Sequence, residues 1–162
     1  MAKKKDEKTN VMRTLEQKKV SFSAYTYPHE DGVAVDGVTV ATILGQDPGA
    51  VFKTLVTKGA SGAHYVFDIP VAETLDLKKA AKAVGEKSIA MLPSKELLSL
   101  TGYVHGGCSP VGMKKQFPTV FHESCLLYDT MMVSAGKIGF QVALRPADLI
   151  ALVGAITADI IV

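Results

Sequence analysis

Apolar positions along the chain recur at two different periods, and the switches between them mark out the elements. From Thr9 or Asn10, either able to cap a helix, Val11, Met12 and Leu15 repeat at helical spacing to about Lys19. The stretch 21–27, SFSAYTY, alternates and carries aromatics, which predicts a strand. Asp36 precedes a second helix that ends at Gly45, with Val38, Ala41 and Thr42 at helical spacing. Past the turn residues Gln46 to Gly49, VFKTLVT at 51–57 and HYVFDIPV at 64–71 read as strands. Asp76 then caps LKKAAKAV, where Leu77, Ala80, Ala81 and Val84 form one apolar face and Gly85 stops the helix. A short strand at 88–92 and a short helix capped by Ser94 follow. The last third holds strand candidates at 119–123, 125–129, 131–135 and 140–144, then a helix from Pro146 through Leu152, before DIIV closes the chain.

Strands and helices interleave without strict βαβ regularity. The fold class expected is therefore α/β of the α+β type: a mixed sheet of six or more strands, partly barrel-like, surrounded by helices. No repeat and no linker divides the pattern, so residues 1–162 are expected to form a single domain, with 1–8 a flexible tail.

Composition narrows the class without naming a chemistry. Hydrophobic residues make up 48% and charged residues 21%, a globular balance that excludes disorder. No apolar run approaches the roughly 18–20 residues of a membrane span, and MAKKKDEKTN lacks the apolar centre of a signal peptide. A cytoplasmic location follows, with no membrane partner and both cysteines reduced. The net charge of +2 is too small to mark a nucleic-acid binder, so DNA is not an expected partner and any RNA contact should be short or borrow its affinity from a partner. Lys3, Lys4 and Lys5 read as part of a solvated tail.

Two departures from the pattern could carry chemistry. Lys53 is a lone cation inside the apolar strand AVFKTLV, on the same face as Val51 and Leu55. A desolvated ammonium group can hold a carbonyl or stabilise developing negative charge; equally, a lysine stem can lie over apolar surface with its head in water. The second departure is the loop from Gly102 to Lys115, with four glycines and Pro110, which permits close backbone approach and amide donors for an oxyanion. It is no phosphate-binding P-loop, because the Gly-Lys-Ser/Thr ending is missing. His105-x-x-Cys108 and His122-x-x-Cys125 imitate paired zinc ligands, but His122 and Cys125 fall in strand-like sequence. Cys108 with His105 as base could form a nucleophilic pair, against the plainer reading of a small side chain filling space beside glycines. Cys125, beside Leu126 and Leu127, reads as a core thiol.

Phe52-Lys53-Thr54-Leu55, Gly106-Gly107-Cys108-Ser109-Pro110 and Ser134-Ala135-Gly136-Lys137, at these separations, resemble the YbaK/EbsC family of bacterial editing deacylases. The resemblance runs from Thr9 to Val162. It implies a mixed sheet with helices, no cofactor and no bound metal, and removal of cysteine from mischarged tRNA(Pro). By resemblance Lys53 is the catalytic residue, and Gly106 and Pro110 end a Gly-x-x-x-Pro loop that positions the aminoacyl end of the tRNA. Gly107, Cys108 and Ser109 lie within that loop, and Tyr27, Thr54 and Ser134 match further pocket residues. The family mechanism has the substrate's own thiol attack its ester. Partners implied are the acceptor end of tRNA(Pro) and prolyl-tRNA synthetase or an elongation factor; Lys114, Lys115 and Lys137 are the candidates for RNA contact. Asp36 stands where members often carry an aromatic residue, and Ile138 where an arginine is frequent. A deacylase for alanine or another small amino acid, and a non-catalytic tRNA- or synthetase-binding module of the same fold, are the alternatives.

Overall fold

Eight strands sort into two sheets linked, among the described residues, by one backbone bridge, Val51 to Met132, and the gap beside that bridge forms the site. In the computed structural model, which describes residues 7–162, the order begins α1 (Asn10–Gln17), β1 (Ser23–Thr26), α2 (Gly37–Leu44), β2 (Phe52–Gly59), β3 (His64–Pro70) and α3 (Leu77–Val84). It continues β4 (Ile89–Met91), α4 (Ser94–Thr101), β5 (Thr119–His122), β6 (Met131–Ser134), β7 (Phe140–Leu144), α5 (Pro146–Val153) and β8 (Ile156–Ala158). Three strands form one sheet in the order β1-β7-β6, all antiparallel; five form the other, β4-β2-β3-β5-β8, with parallel pairs at β3-β5 and β5-β8. The mixed α/β class is as expected, while neither sheet closes into a barrel.

Capping side chains start α1, α2 and α3. The Thr9 side chain accepts from the Met12 N–H, Asp36 from Thr39, and Asp76 from both Lys78 and Lys79, satisfying donors that the first helical turn leaves free. Val11 and Leu15 of α1 pack with Phe52 of β2, Phe121 of β5 and Val142 of β7 in the largest core. On its other face the five-stranded sheet packs Phe67, Ile69 and Val120 against Ala80 and Ala81 of α3. A third, smaller cluster joins Ala41 of α2 to Val51, Val71 and Met132. Burial of these apolar faces, worth about 25 cal/mol per Å² removed from water, is what holds short elements that would not persist alone.

The structure revises four details of the pattern. Residues 125–129 form no strand: Glu123–Leu127 is a 3-10 helix, initiated where His122 Nδ1 accepts from the Ser124 N–H at 3.2 Å. Cys125 is buried there while Leu127 is 83% exposed, so no alternating face exists. Pro93 and not Ser94 holds the N-cap position of α4, without a side-chain bond. In α2 the buried residues are Val40 and Ala41, whereas Val38 is exposed. Ile156–Ala158 forms β8, a strand the pattern did not mark, ahead of the closing DIIV, whose Ile161 bridges Leu75. Lys3, Lys4 and Lys5 lie outside the described residues; Glu7 and Lys8, at the end of the expected tail, pair with Lys137 and Glu16. Among the described residues no helix is long and apolar enough to cross a membrane.

Candidate active site

The site begins with backbone geometry. Val51, just ahead of β2, and Met132 of β6 form one parallel bridge, where the Met132 N–H donates to Ala50 O at 2.9 Å. Beyond the bridge the two strands belong to different sheets and part, and β4 does not pair with β2 until Thr57. Between these points the edge of β2 has no neighbouring strand among the described residues. Hydrogen-bond alternation says which groups that edge presents. Val51 O and the Gly59 N–H bond toward the β3 side, whereas Ala50 O, Val56 O and the Ala60 N–H bond away from it. Thr54 is in phase with the second set, so its N–H and C=O point into the gap.

A cleft of about 680 Å³ fills this gap. That volume lies within the usual span of small-molecule sites, roughly 300–1,000 Å³. Its lining includes Tyr27, Lys53, Thr54, Gly106, Cys108 and Ser134, which converge from separate stretches of chain. Lys53 is partly buried, and among the described residues no hydrogen bond or ion pair engages its ammonium group. A cation so placed is available to a ligand. Tyr27 is buried, with its N–H held on Gly139 O at 2.9 Å, and the Ser134 hydroxyl oxygen accepts from the Gly136 N–H at 3.1 Å.

The glycine-rich loop supplies the facing wall. Gly106 has φ +88°, and a Cβ there would lie 2.6 Å from the Cβ of Ala34, so only glycine permits this approach. Tyr103 braces the loop from inside, its hydroxyl donating to Val111 O, and burial pushes its phenol up to about 12. The Gly107 N–H is committed to Val104 O at 2.9 Å, while Gly106 and Cys108 carry no such bond among the described residues. Gly107, Ser109 and Pro110 are buried behind the wall and do not line the cleft. Ile138 packs beside Gly106 as a buried side chain, and Asp36 both lines the cleft and caps α2. None of Lys114, Lys115 and Lys137 reaches the cleft: Lys137 pairs with Glu7 at 2.6 Å, and Lys115 lies over the Phe117 ring.

The thiols are placed for packing rather than attack. Burial is the main cause that raises Cys108 to about 12 and Cys125 to about 11, so thiolate is scarce at neutral pH. The two His-x-x-Cys pairs do not converge: His105 is exposed at the cleft, whereas His122 turns to Ser124 and Asp159. Among the described residues no group of three or more potential ligands is placed to hold a metal ion.

Two polar residues escaped the sequence reading. Asp68, in the middle of β3, is fully buried, and its Oδ2 lies 3.0 Å from the Thr54 hydroxyl. Burial drives its carboxyl well above the ordinary value, against a weaker opposing effect of the Thr54 bond. Gln141 of β7 lines the cleft and exchanges amide hydrogen bonds with Gln46. The signal for each was the one that singled out Lys53, a lone polar residue inside an apolar strand.

Comparison with known proteins agrees with this arrangement. The model of the aminoacyl-tRNA editing domain matches residues 31–152, a span that contains every cleft residue named above except Tyr27. A curated relative from Enterococcus faecalis, EbsC, named as a proposed Cys-tRNA(Pro)/Cys-tRNA(Cys) deacylase, is 47% identical over 99% of this chain and 98% of its own. A solved structure described as a proposed trans-editing enzyme for prolyl-tRNA synthetase superposes with TM-score 0.80 at 26% identity, covering 96% of this chain and 99% of that one. A scaffold used for computational epitope grafting superposes at 0.82 with 28% identity, over 94% of each chain. The chain belongs to the aminoacyl-tRNA editing domain family, a family of aminoacyl-tRNA deacylases.

Proposed function

We propose that the substrate is mischarged tRNA(Pro), preferentially Cys-tRNA(Pro), and that the protein, as a single editing domain, clears it in trans in the cytoplasm beside prolyl-tRNA synthetase or an elongation factor. The observation that carries this reading is the ammonium of Lys53, without a partner among the described residues, next to the open β2 edge at Thr54 in a cleft that Gly106 also lines. The whole-length similarity to EbsC supports the choice of amino acid.

An aminoacyl ester needs little activation, so positioning and charge stabilisation suffice. The carbonyl oxygen lies between the Lys53 ammonium and the backbone N–H groups of Thr54, Gly106 and Cys108. Tyr27 and Ser134 close the ends of the pocket. Charge that develops on that oxygen meets donors already in place, the largest single contribution in many hydrolytic sites. With both enzyme thiols neutral, the nucleophile is the thiolate of the substrate cysteine. It bonds to its own carbonyl carbon, the carbon–oxygen bond to the ribose breaks, and the ribose oxygen takes a proton. Cyclic thiolactone and free tRNA leave. Alanine and proline lack the thiol, a filter that pocket shape alone could not match for so small a difference.

The test is deacylation of Cys-, Ala- and Pro-tRNA(Pro) by wild type and Lys53→Ala, with thiolactone followed directly. Loss of cysteine alone, with thiolactone formed and dependence on Lys53, is expected. Equal loss of alanine would replace self-attack by water attack in a size-filtered site. If none of the three is touched, even with prolyl-tRNA synthetase present, the binding-module alternative takes its place.

A further inference from the structure

Asp68 is the one buried side chain among the described residues with a polar oxygen, Oδ1, that has no hydrogen-bond partner. It stands directly opposite Thr54 in the β2–β3 ladder, with 3.0 Å between Oδ2 and the threonine hydroxyl. The other titratable groups near enough to sense it are Cys108 from the loop and Cys125 from the 3-10 helix, both held as neutral thiols. Lys53 alternates to the other face of β2 and makes no ion pair with it. An ionised carboxylate offers only acceptors and, when buried, requires several donors or a cation. Here it has one hydroxyl. A carboxylic acid suits the position far better, since its hydroxyl finds an acceptor in Thr54 and only a carbonyl oxygen remains under-satisfied.

Direction is then decided at the threonine. If Asp68 were a carboxylate, Thr54 would have to donate to it and would face the cleft with lone pairs alone. If Asp68 is the donor, the Thr54 hydrogen is released, and Thr54 lines the cleft beside Lys53. We infer that Asp68 is a positioning residue that, as a neutral acid, donates to Thr54 Oγ1 and so turns the Thr54 hydroxyl hydrogen toward the ester carbonyl. Asp68 never touches substrate; it sets the polarity of a group that does. The inference rests on the deacylase reading of the cleft. It also makes the site sensitive to base, because an ionised Asp68 draws the Thr54 hydrogen back to itself and removes one donor from the oxyanion.

The test compares wild type, Asp68→Asn, Asp68→Ala and Thr54→Val in steady-state deacylation of Cys-tRNA(Pro) from about pH 6 to about pH 9, with uncatalysed hydrolysis subtracted. Asparagine keeps an N–H donor for Thr54 at every pH, whereas alanine has none. The expected result is a kcat for Asp68→Asn within a few-fold of wild type at neutral pH, with an activity ratio to wild type that rises with pH. Asp68→Ala and Thr54→Val should each lose about tenfold or more in kcat with little change in KM, as for a donor used mainly in the transition state. The substrate's own thiol and amine titrate alike in every arm, so the ratio isolates Asp68. Equal losses in Asn and Ala at a flat ratio, or full activity in Ala, overturns the inference while leaving the deacylase reading intact. No turnover by wild type overturns both. Independently of turnover, the carboxyl carbon-13 shift of Asp68 should be that of a protonated acid at neutral pH, and an ionised value there overturns the inference directly.

Discussion

Gln46 and Gln141, ninety-five positions apart, exchange two side-chain hydrogen bonds, with Gln46 Nε2 donating to Gln141 Oε1 at 2.7 Å and Gln141 Nε2 donating back at 3.0 Å. Gln141 is only 3% exposed and forms part of the cleft, so this amide pair ties the turn after α2 to the site. Gln46→Ala would leave a buried amide with neither donor nor acceptor satisfied. A loss of about 1–3 kcal/mol in unfolding free energy is expected from denaturant melts, the cost of an unmade buried bond. Because the released amide faces the cleft, KM for the aminoacyl-tRNA should change more than it does for an exposed control such as Lys87→Ala.

Gly106→Ala tests the backbone approach on the facing wall. The new methyl meets Ala34 at 2.6 Å, and the backbone already sits at a positive φ, so two costs add. Destabilisation of about 1–3 kcal/mol is expected, with kcat reduced beyond what the thermal melt explains, because the loop must shift to relieve the clash. A variant as stable and as active as wild type would show that the loop is free to move.

Much of the fold was legible in the sequence, and the reasons are local. Asp76 and Gly85 bound α3 as the sequence suggests, because a capping carboxylate and a left-handed terminator act within a few residues. Lys53 was visible as a cation out of place. What was not legible depends on contacts distant in sequence or on local bonds that override the pattern. The 3-10 helix at Glu123–Leu127 follows from a His122–Ser124 bond that competes with a strand-like pattern. The open edge of β2 exists only because β4 is short and starts its pairing at Thr57, which no periodicity reveals. Asp68 gave the same signal as Lys53, but its meaning depends on Thr54 lying opposite it. The burial of Pro110 behind the wall, rather than in the cleft, likewise follows from how the loop packs.

The cysteines should be slow to react. With Cys108 raised to about 12 and buried, iodoacetamide at about pH 8 finds less than a thousandth of its thiol ionised. Mass spectrometry should show almost no alkylation of Cys108 or Cys125 in the folded protein, complete reaction after denaturation, and no loss of deacylase activity on the native timescale. Rapid modification of Cys108 in the folded protein would show that its thiol is neither buried nor held neutral.

Lys53 should be dispensable for folding. Its side chain is partly buried and its ammonium meets no acidic partner among the described residues, so Lys53→Met keeps the apolar stem and breaks no pair. The melting temperature is expected to stay level or rise, while kcat falls about 100- to 1,000-fold, the range for losing one charge-stabilising donor. A drop in stability matching the loss of activity would mean that Lys53 holds the strand rather than the substrate.

Asp68 should also leave a mark on stability, with a sign opposite to that of a salt-bridged carboxylate. Its folded value is raised, by burial first, so between its unfolded and folded values the native state binds a proton that the unfolded chain has released. Stability from this group is therefore complete below the unfolded value, near pH 4 for an ordinary aspartate, and is lost progressively as the pH rises toward the folded one. Other carboxylates titrate over the same range, which is why the comparison must be with Asp68→Asn and not with wild type at another pH. The unfolding free energy of Asp68→Asn minus that of wild type should grow steadily from about pH 4 to about pH 8. A flat difference would mean that Asp68 is ionised in the folded protein, and Thr54 would then be the donor in that pair.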